Sequence, residues 1–293
     1  MEKVTVAAAQ MKCSDDSKEN VKNAERIIRQ AAKNGANIIL LQELFSTQYF
    51  MQTVDFKNFD LAREMEGHPL LTQMSELAKE LRVVLPVSFF EKSNNSFFNS
   101  VAIIDADGAI LGKYRKTHIP DDPGYYEKFY FSPGDTGFKV WNTKYGRIGV
   151  GICWDQWFPE AARIMALKGA EILFYPTAIG TYGVPVAKLD AESLAYDHWQ
   201  NVMLGHSAAN SIPVIASNRI GIEEIGTTAI KFWGASFISD NRGNKIKEAG
   251  LENEEILLAD FNLMELEFRR REVCVFRDRR PECYDTLFTM DGK

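Results

Sequence analysis

Three residues in this sequence are of types that together can break a carbon–nitrogen bond at a carbonyl, and each follows a strand-like run. Cys153 ends the apolar run Ile148 to Ile152 within RIGVGICWDQWFPE, with a turn behind it and a helix opening at Phe158-Pro159-Glu160. Pro at the start of a helix wastes no donor and Glu there complements the positive end of the dipole, so a turn separates strand from helix at the cysteine. Such a turn lifts a nucleophile clear of a sheet, and its backbone N–H groups can lower a thiol pKa and hold an oxyanion. Glu43 ends the run NIILL, and Lys116 follows the strand Ile110 to Tyr114. A thiolate attacks a carbonyl carbon, a carboxylate carries the proton, and a fixed ammonium stabilises the oxyanion. Two plainer readings stand beside this one: an inert buried cysteine, and an ordinary Glu43–Lys116 ion pair at the rim of a sheet.

Elements of alternating type must carry these residues. Val4 to Gln10 reads as a buried strand, and Ser14 to Ser17 supplies N-cap candidates for an amphipathic helix ending near Gly35. Asn37 to Leu41 is a second strand, Pro69 to Leu81 a helix, and Val83 to Phe90, Asn99 to Ile104 and Ile110 to Tyr114 are strands, the last two joined at Asp105-Ala106-Asp107-Gly108. Thr117 to Gly137 breaks the pattern as a long loop rich in aromatic, Pro, Gly and Asp residues, a composition that points to function rather than disorder. Beyond Cys153 the expected order is a helix to about Gly169, a strand at Glu171 to Pro176, and a loop around Thr177 to Pro185. A helix from about Lys188 to Ser211 and strands at Pro213 to Ser217, Ala235 to Ser239, Ile246 to Lys247 and Glu255 to Asp260 follow, then a charged helix and tail. Near-continuous apolar strands imply mixed sheets covered by helices on both faces, within one domain spanning 1–293.

Composition excludes several classes of function. The chain has 293 residues, 45% of them hydrophobic, with a net charge of −6 and a pI near 5.4. This gives no support for nucleic-acid binding, and the late Arg269-Arg270-Arg271 and Arg279-Arg280 clusters alternate with acids as ion-pairing or subunit-contact residues do. Cys13, Cys153, Cys274 and Cys283 are too few and too irregular for a disulfide framework and show no zinc spacing, so a reducing cytoplasm fits. The start MEKVTVAAAQ is too short an apolar run for a secretory signal, and no stretch has the length to span a bilayer.

The segments NIILLQELF, GKYRKTHIP and GVGICWDQWFPE resemble the three signature segments of the nitrilase (carbon-nitrogen hydrolase) superfamily, and the likeness runs on from Gln10 through PTAIG and ANSIPVIASNRIG. Their catalytic Glu, Lys and Cys match Glu43, Lys116 and Cys153. The resemblance implies a four-layer αββα sandwich assembled into dimers or larger homo-oligomers, with no metal or organic cofactor. It also implies a second carboxylate near the Cys and Lys, matched here to Glu127. In the mechanism expected from these residues the backbone N–H of Trp154 joins Lys116 in holding the oxyanion. His118, two residues beyond Lys116 and on the same side of an extended segment, either orients Lys116 or touches substrate, or is a structural histidine bonded to the loop. His198 and His206 read as packing residues on a helix.

Within the superfamily, KTHIPDDPGYYEKFYFSPGDTGF and ICWDQWFPEAAR resemble a branch that frees a diamine from its carbamoyl derivative, releasing ammonia and carbon dioxide in polyamine biosynthesis. Where branches acting on carbamoyl amino acids place Arg just after the nucleophile, this chain has Trp154, Asp155, Gln156 and Trp157. Acids at Asp121, Asp122, Glu127 and Asp155 with aromatics at Tyr125, Tyr126, Trp154 and Trp157 suit a small cationic ureide. The substrate-binding candidates are accordingly Asp121, Asp122, Tyr125, Asp155, Trp157 and Thr177. The competing readings are an amidase or ureidopropionase acting on another small linear amide, and a non-catalytic interaction module or thiol sensor built on Cys153. The segment from about residue 272 is expected to contact a neighbouring subunit.

Overall fold

The computed structural model describes residues 3–183 and 195–293. The chain opens with β1 (Lys3–Gln10), α1 (Ser17–Lys33), β2 (Ile38–Leu40) and α2 (Pro69–Leu81). Then come β3 (Leu85–Ser93), β4 (Ser96–Ile104), β5 (Ile110–Arg115) and a short α3 (Glu127–Tyr130). The middle holds β6 (Val140–Thr143), β7 (Gly146–Val150), α4 (Pro159–Leu167), β8 (Ile172–Pro176), β9 (Gly180–Gly183) and α5 (Ala195–Asn210). The chain continues through β10 (Val214–Ser217), β11 (Ile220–Ile225), β12 (Thr228–Trp233), β13 (Phe237–Ser239), β14 (Lys245–Glu248), β15 (Glu255–Asn262) and α6 (Leu263–Val273).

Two sheets face each other. One runs β15-β1-β2 and continues into β3-β4-β5 through a parallel bridge at Ile38 and Val84. The other runs β14-β13-β10-β8-β7-β6, with β7, β8 and β10 parallel. Val6, Ile38, Leu40 and Val101 of the first sheet pack against Ile148, Val150, Phe174 and Ile215 of the second. On the outer face of the first sheet, Ala7, Ile39 and Ile104 meet Ile27 and Ile28 of α1 and Met74 and Leu77 of α2. On the outer face of the second, Leu173, Val214 and Ala216 meet Met165 of α4 and Trp199 and Met203 of α5. Side chains alternate across a strand, so these strands, buried on both faces, must be apolar throughout, and the layers stack as αββα.

Most elements lie where the hydrophobic pattern places them, and α2 has the expected bounds. Of the N-cap candidates it is Asp16 whose side chain accepts the N–H groups of Lys18 and Glu19. Two loops differ from expectation. Thr117 to Gly137 contains α3, and the segment after Thr177 forms β9, which pairs with β12. The β11–β12 hairpin was not expected. It is joined at Gly226, whose φ of +62° suits a tight turn. Residues 184–194, where the expected loop ends and the expected α5 helix begins, lie outside the described residues. The small sheet β11-β12-β9 closes one end of the sandwich through Ile230 and Phe232, packed with Leu44, Tyr49, Phe50 and Tyr130.

Gly151 shows how tightly the approach to Cys153 is packed. A Cβ there would lie 2.7 Å from the Tyr175 ring and 3.3 Å from Asp155 Cβ. Gly151→Ala is therefore expected to destabilise the protein by about 1–3 kcal/mol in chemical denaturation and to slow the reactions of Cys153, since either the Tyr175 ring or the Cys153 turn must shift.

Candidate active site

The site forms where four strand ends converge. Lys116 follows β5, and its backbone N–H donates to Asn99 O (2.8 Å) while its carbonyl accepts from Gly134 N (2.8 Å). Both ends of the 117–137 loop are thereby fixed on the lysine. Gly134 is required there, because a Cβ would sit 2.1 Å from Arg115 O. The Lys116 ammonium is fully buried and donates to Glu43 Oε1 (2.9 Å) and Glu127 Oε2 (2.6 Å). Asn99 Nδ2 also donates to Glu43 Oε1 (2.6 Å), and Tyr49 OH donates to Glu127 Oε1 (2.8 Å). Glu43 Oε2 is buried with no partner among the described residues.

Cys153 begins the 3-10 turn Cys153–Trp157. Its φ is +41°, a left-handed value that costs a non-glycine residue strain energy and brings the side chain out at a sharp strand-to-helix turn. Asp155 holds that turn: its Oδ2 accepts from Ile152 N (2.9 Å) and Tyr114 OH (2.7 Å). The Cys153 Sγ lies 3.8 Å from Ala178 O at the floor of a cavity of about 260 Å3. Pro120, Asp122, Tyr125, Glu127, Trp154, Trp157, Ile179 and Trp233 are among its lining residues.

Charge and burial set the resting protonation. Burial, then the charge of Glu43, pushes the Cys153 thiol well above its ordinary range, and Lys116 only partly opposes this. The lowered thiol pKa expected from the turn does not occur, so Cys153 rests as a thiol, and any attack through its sulfur requires removal of that proton. Burial acts to lower the Lys116 pKa, but Glu127 and Glu43 outweigh it and hold the ammonium charged. Glu127 is pushed up to about 7 by burial and by the charge of Glu43, against the pull of Lys116. A buried thiol beside a carboxylate oxygen without a partner and a fixed ammonium is equipped for proton-coupled nucleophilic attack on a polarised carbonyl.

A family model for carbon-nitrogen hydrolases matches residues 5–271. The chain belongs to the carbon-nitrogen hydrolase family. It is 56% identical over 293 residues to a protein of Solanum tuberosum named N-carbamoylputrescine amidase, covering 99% of this chain and 96% of that one. It is 52% identical to a Francisella tularensis protein named citrullinase, covering 98% and 99%. The crystal structure of a carbon-nitrogen hydrolase from Helicobacter pylori G27 superposes with a TM-score of 0.90 at 40% identity, covering 98% of this chain and 99% of that one.

The fold of this hydrolase brings Glu43, Lys116, Glu127 and Cys153 together and places Asp122, Tyr125 and Trp157 on the cavity wall. Other candidates stand elsewhere. Asp155 is fully buried, and its Oδ1 takes His118 N (3.0 Å) and Nδ1 (2.8 Å). With both oxygens occupied it is an anchor for the turn, not a contact for an amine. His118 therefore belongs to Asp155 rather than to Lys116, and its ring stacks on Phe158 at 3.6 Å. Thr177 is buried and donates through Oγ1 to Gln156 Oε1 (3.0 Å), so it braces the chain behind the cavity. Asp121 is exposed and lies outside the cavity lining. His206 packs as expected, its Nε2 2.7 Å from Gln156 O, whereas His198 is exposed with its ring against Trp157.

Tyr49, Asn99, Arg219 and Trp233 were not singled out from sequence. Asn99 carried a weak signal, an amide within an apolar strand run. The others depend on contacts between segments far apart in the chain.

The position of Glu127 gives a pH dependence. Above about 7 it is a carboxylate and Lys116 bridges two anions; below that it is neutral and Lys116 is left to Glu43 alone. We expect kcat/KM to rise through this pH, and Glu127→Gln to remove that limb while lowering kcat by about 10–100-fold, as read from pH–rate profiles. Linkage has a definite sign here: a carboxyl raised from 4.5 to about 7 on folding lowers stability as pH climbs through that window. Melting curves of Glu127→Gln should lack this slope.

Proposed function

We propose that this hydrolase converts N-carbamoylputrescine to putrescine, ammonia and carbon dioxide in polyamine biosynthesis. The observation that carries the reading is the cavity above Cys153. Its described lining contains Asp122, Tyr125, Trp154, Trp157 and Trp233 and no Lys, Arg or His, which favours an organic cation through charge and aromatic faces. High identity to the potato protein named N-carbamoylputrescine amidase supports the same substrate.

Glu43 takes the Cys153 proton through its unpartnered oxygen as Sγ attacks the ureido carbon. Lys116 and the backbone N–H of Trp154 stabilise the oxyanion. Collapse of the adduct breaks the bond to the terminal nitrogen, which leaves as ammonia with the proton from Glu43, and a carbamoyl thioester remains on Cys153. Glu43 then deprotonates water, with Glu127 in support through Lys116. Attack on the thioester frees Cys153 and a carbamic acid, which breaks down to carbon dioxide and the amine.

A second reading comes from the Francisella relative named citrullinase. Citrulline carries the same ureide and the same amine with one added α-carboxylate, and Asp122 would repel that group. Four free cysteines support a reducing cytoplasm, and among the described residues no helix is long and apolar enough to cross a membrane. Exposed Phe268, Val273, Phe288 and Met290 near the C-terminus support assembly into a homo-oligomer, with the segment after about 272 packing on a neighbour.

Ammonia release should be measured from N-carbamoylputrescine, citrulline, N-carbamoyl-β-alanine, glutaramate and a simple nitrile. Fast release from the cationic ureide, abolished in Cys153→Ala, is expected, and preference for citrulline would move the protein to the second reading. Asp122→Asn should raise KM for the cation by about 10-fold with kcat little changed. Sedimentation should give a mass of at least a dimer, and deletion from residue 275 onward should reduce it; a wild-type monomer would overturn the assembly proposal.

A further inference from the structure

The segment ANSIPVIASNRIG contains a residue that the mechanism leaves unused. Arg219, just after β10, is fully buried. Its guanidinium donates through Nη2 to Glu43 O (3.0 Å) and Leu44 O (2.8 Å), and through Nη1 to Thr47 O (3.0 Å). The fork thus grips three backbone carbonyls of the turn that carries Glu43. That turn includes Leu44 at a φ of +47°, a conformation it holds only under outside constraint.

Nη1 also donates to Glu223 Oε1 (2.8 Å) on β11, and Glu223 Oε2 accepts from Tyr49 N (2.6 Å). Tyr49 in turn donates its hydroxyl to Glu127. The Arg219 guanidinium carbon lies 5.7 Å from the centre of the Tyr49 ring and 5.6 Å from that of Phe232. One ion pair therefore touches the backbone of the first carboxylate and the support of the second. The neighbouring Asn218 ties the other wall: its Oδ1 accepts from Ile179 N (2.9 Å) and its Nδ2 donates to Ile179 O (2.9 Å). Ile179 follows Ala178, whose carbonyl faces Cys153.

We infer that Arg219, with Glu223 as its counter-ion, is a positioning residue that sets Glu43 for proton transfer from Cys153 and, through Tyr49, sets Glu127 against Lys116. This rests on the Glu43–Cys153 chemistry proposed above but not on the choice of substrate. Arginine is needed because only a planar fork reaches several carbonyls and a carboxylate together; a lysine supplies the charge from a single nitrogen.

Arg219→Lys tests the inference because it keeps a cation opposite buried Glu223. Cys153 would be alkylated with iodoacetamide, in which Sγ bonds to the methylene carbon, iodide leaves and the thiol proton passes to Glu43. Peptide mass spectrometry would follow Cys153 alone, since Cys274 and Cys283 are the more accessible thiols. The expected result is full alkylation stoichiometry at a rate reduced by about 10–100-fold, kcat reduced in parallel, and KM within about threefold of wild type. Arg219→Met should fall at least as far if it folds, and Arg219→Lys carries the test if it does not. An unchanged alkylation rate and kcat in Arg219→Lys would overturn the inference. So would a loss of activity matched by a loss of reactive Cys153, with the remainder reacting at the wild-type rate, because that marks a loss of folded protein only. A wild-type protein that is alkylated rapidly but hydrolyses no ureide would refute the substrate and leave this test intact.

Discussion

A single ammonium with no access to water holds the site together. Lys116 is buried completely between Glu43 and Glu127, and in such a setting the desolvation of three ionisable groups is offset only by their contact with each other and by added hydrogen bonds. Asn99 and Tyr49 provide those bonds, one to each carboxylate. Removing the ammonium or either carboxylate would leave a buried charge unmatched, typically worth about 3–5 kcal/mol. The arrangement therefore constrains every segment that contributes to it. The 117–137 loop must return to Lys116 at Gly134, and the turn after Glu43 must adopt a left-handed residue.

The same constraint shapes the chemistry. Burial, and after it the charge of Glu43, raises the Cys153 thiol, and Lys116 only partly opposes them. In the proposed mechanism the nucleophile is therefore generated only as Glu43 accepts its proton. A resting thiol is also less prone to oxidation than a thiolate, which fits an enzyme better than a sensor. Asp122 and aromatic rings line the wall one layer out, above the sulfur, where the proposed specificity would reside. Under the proposed function, a difference of one carboxylate between two ureides is read there, away from the reacting bond.

Part of the site was legible because it is local. Cys153 at the end of an apolar strand, Glu43 after NIILL and Lys116 after a hairpin each sit beside a pattern that period and turn chemistry reveal. Asp155 was misassigned for a comparable reason. Proximity in sequence to Cys153 suggested a pocket acid, but in a tight turn a carboxylate two residues on reaches back to the backbone N–H of Ile152 instead. His118 follows Asp155 into that network, so its ring is held by Asp155 despite lying two residues from Lys116 in sequence.

Sequence alone determined the layered α/β class, the strand ends that carry the three reactive residues, and membership of a hydrolase family, because hydrophobic period and short motifs are properties of neighbouring residues. Only the tertiary structure decided which acids face the cavity, that Tyr49 and Asn99 complete the carboxylate pair, and that Arg219 clasps the Glu43 turn from 176 residues away. Those choices depend on which side chains share a buried volume once the two sheets are packed. There an unpaired polar group is costly, and each one is held where a partner from a distant segment happens to meet it.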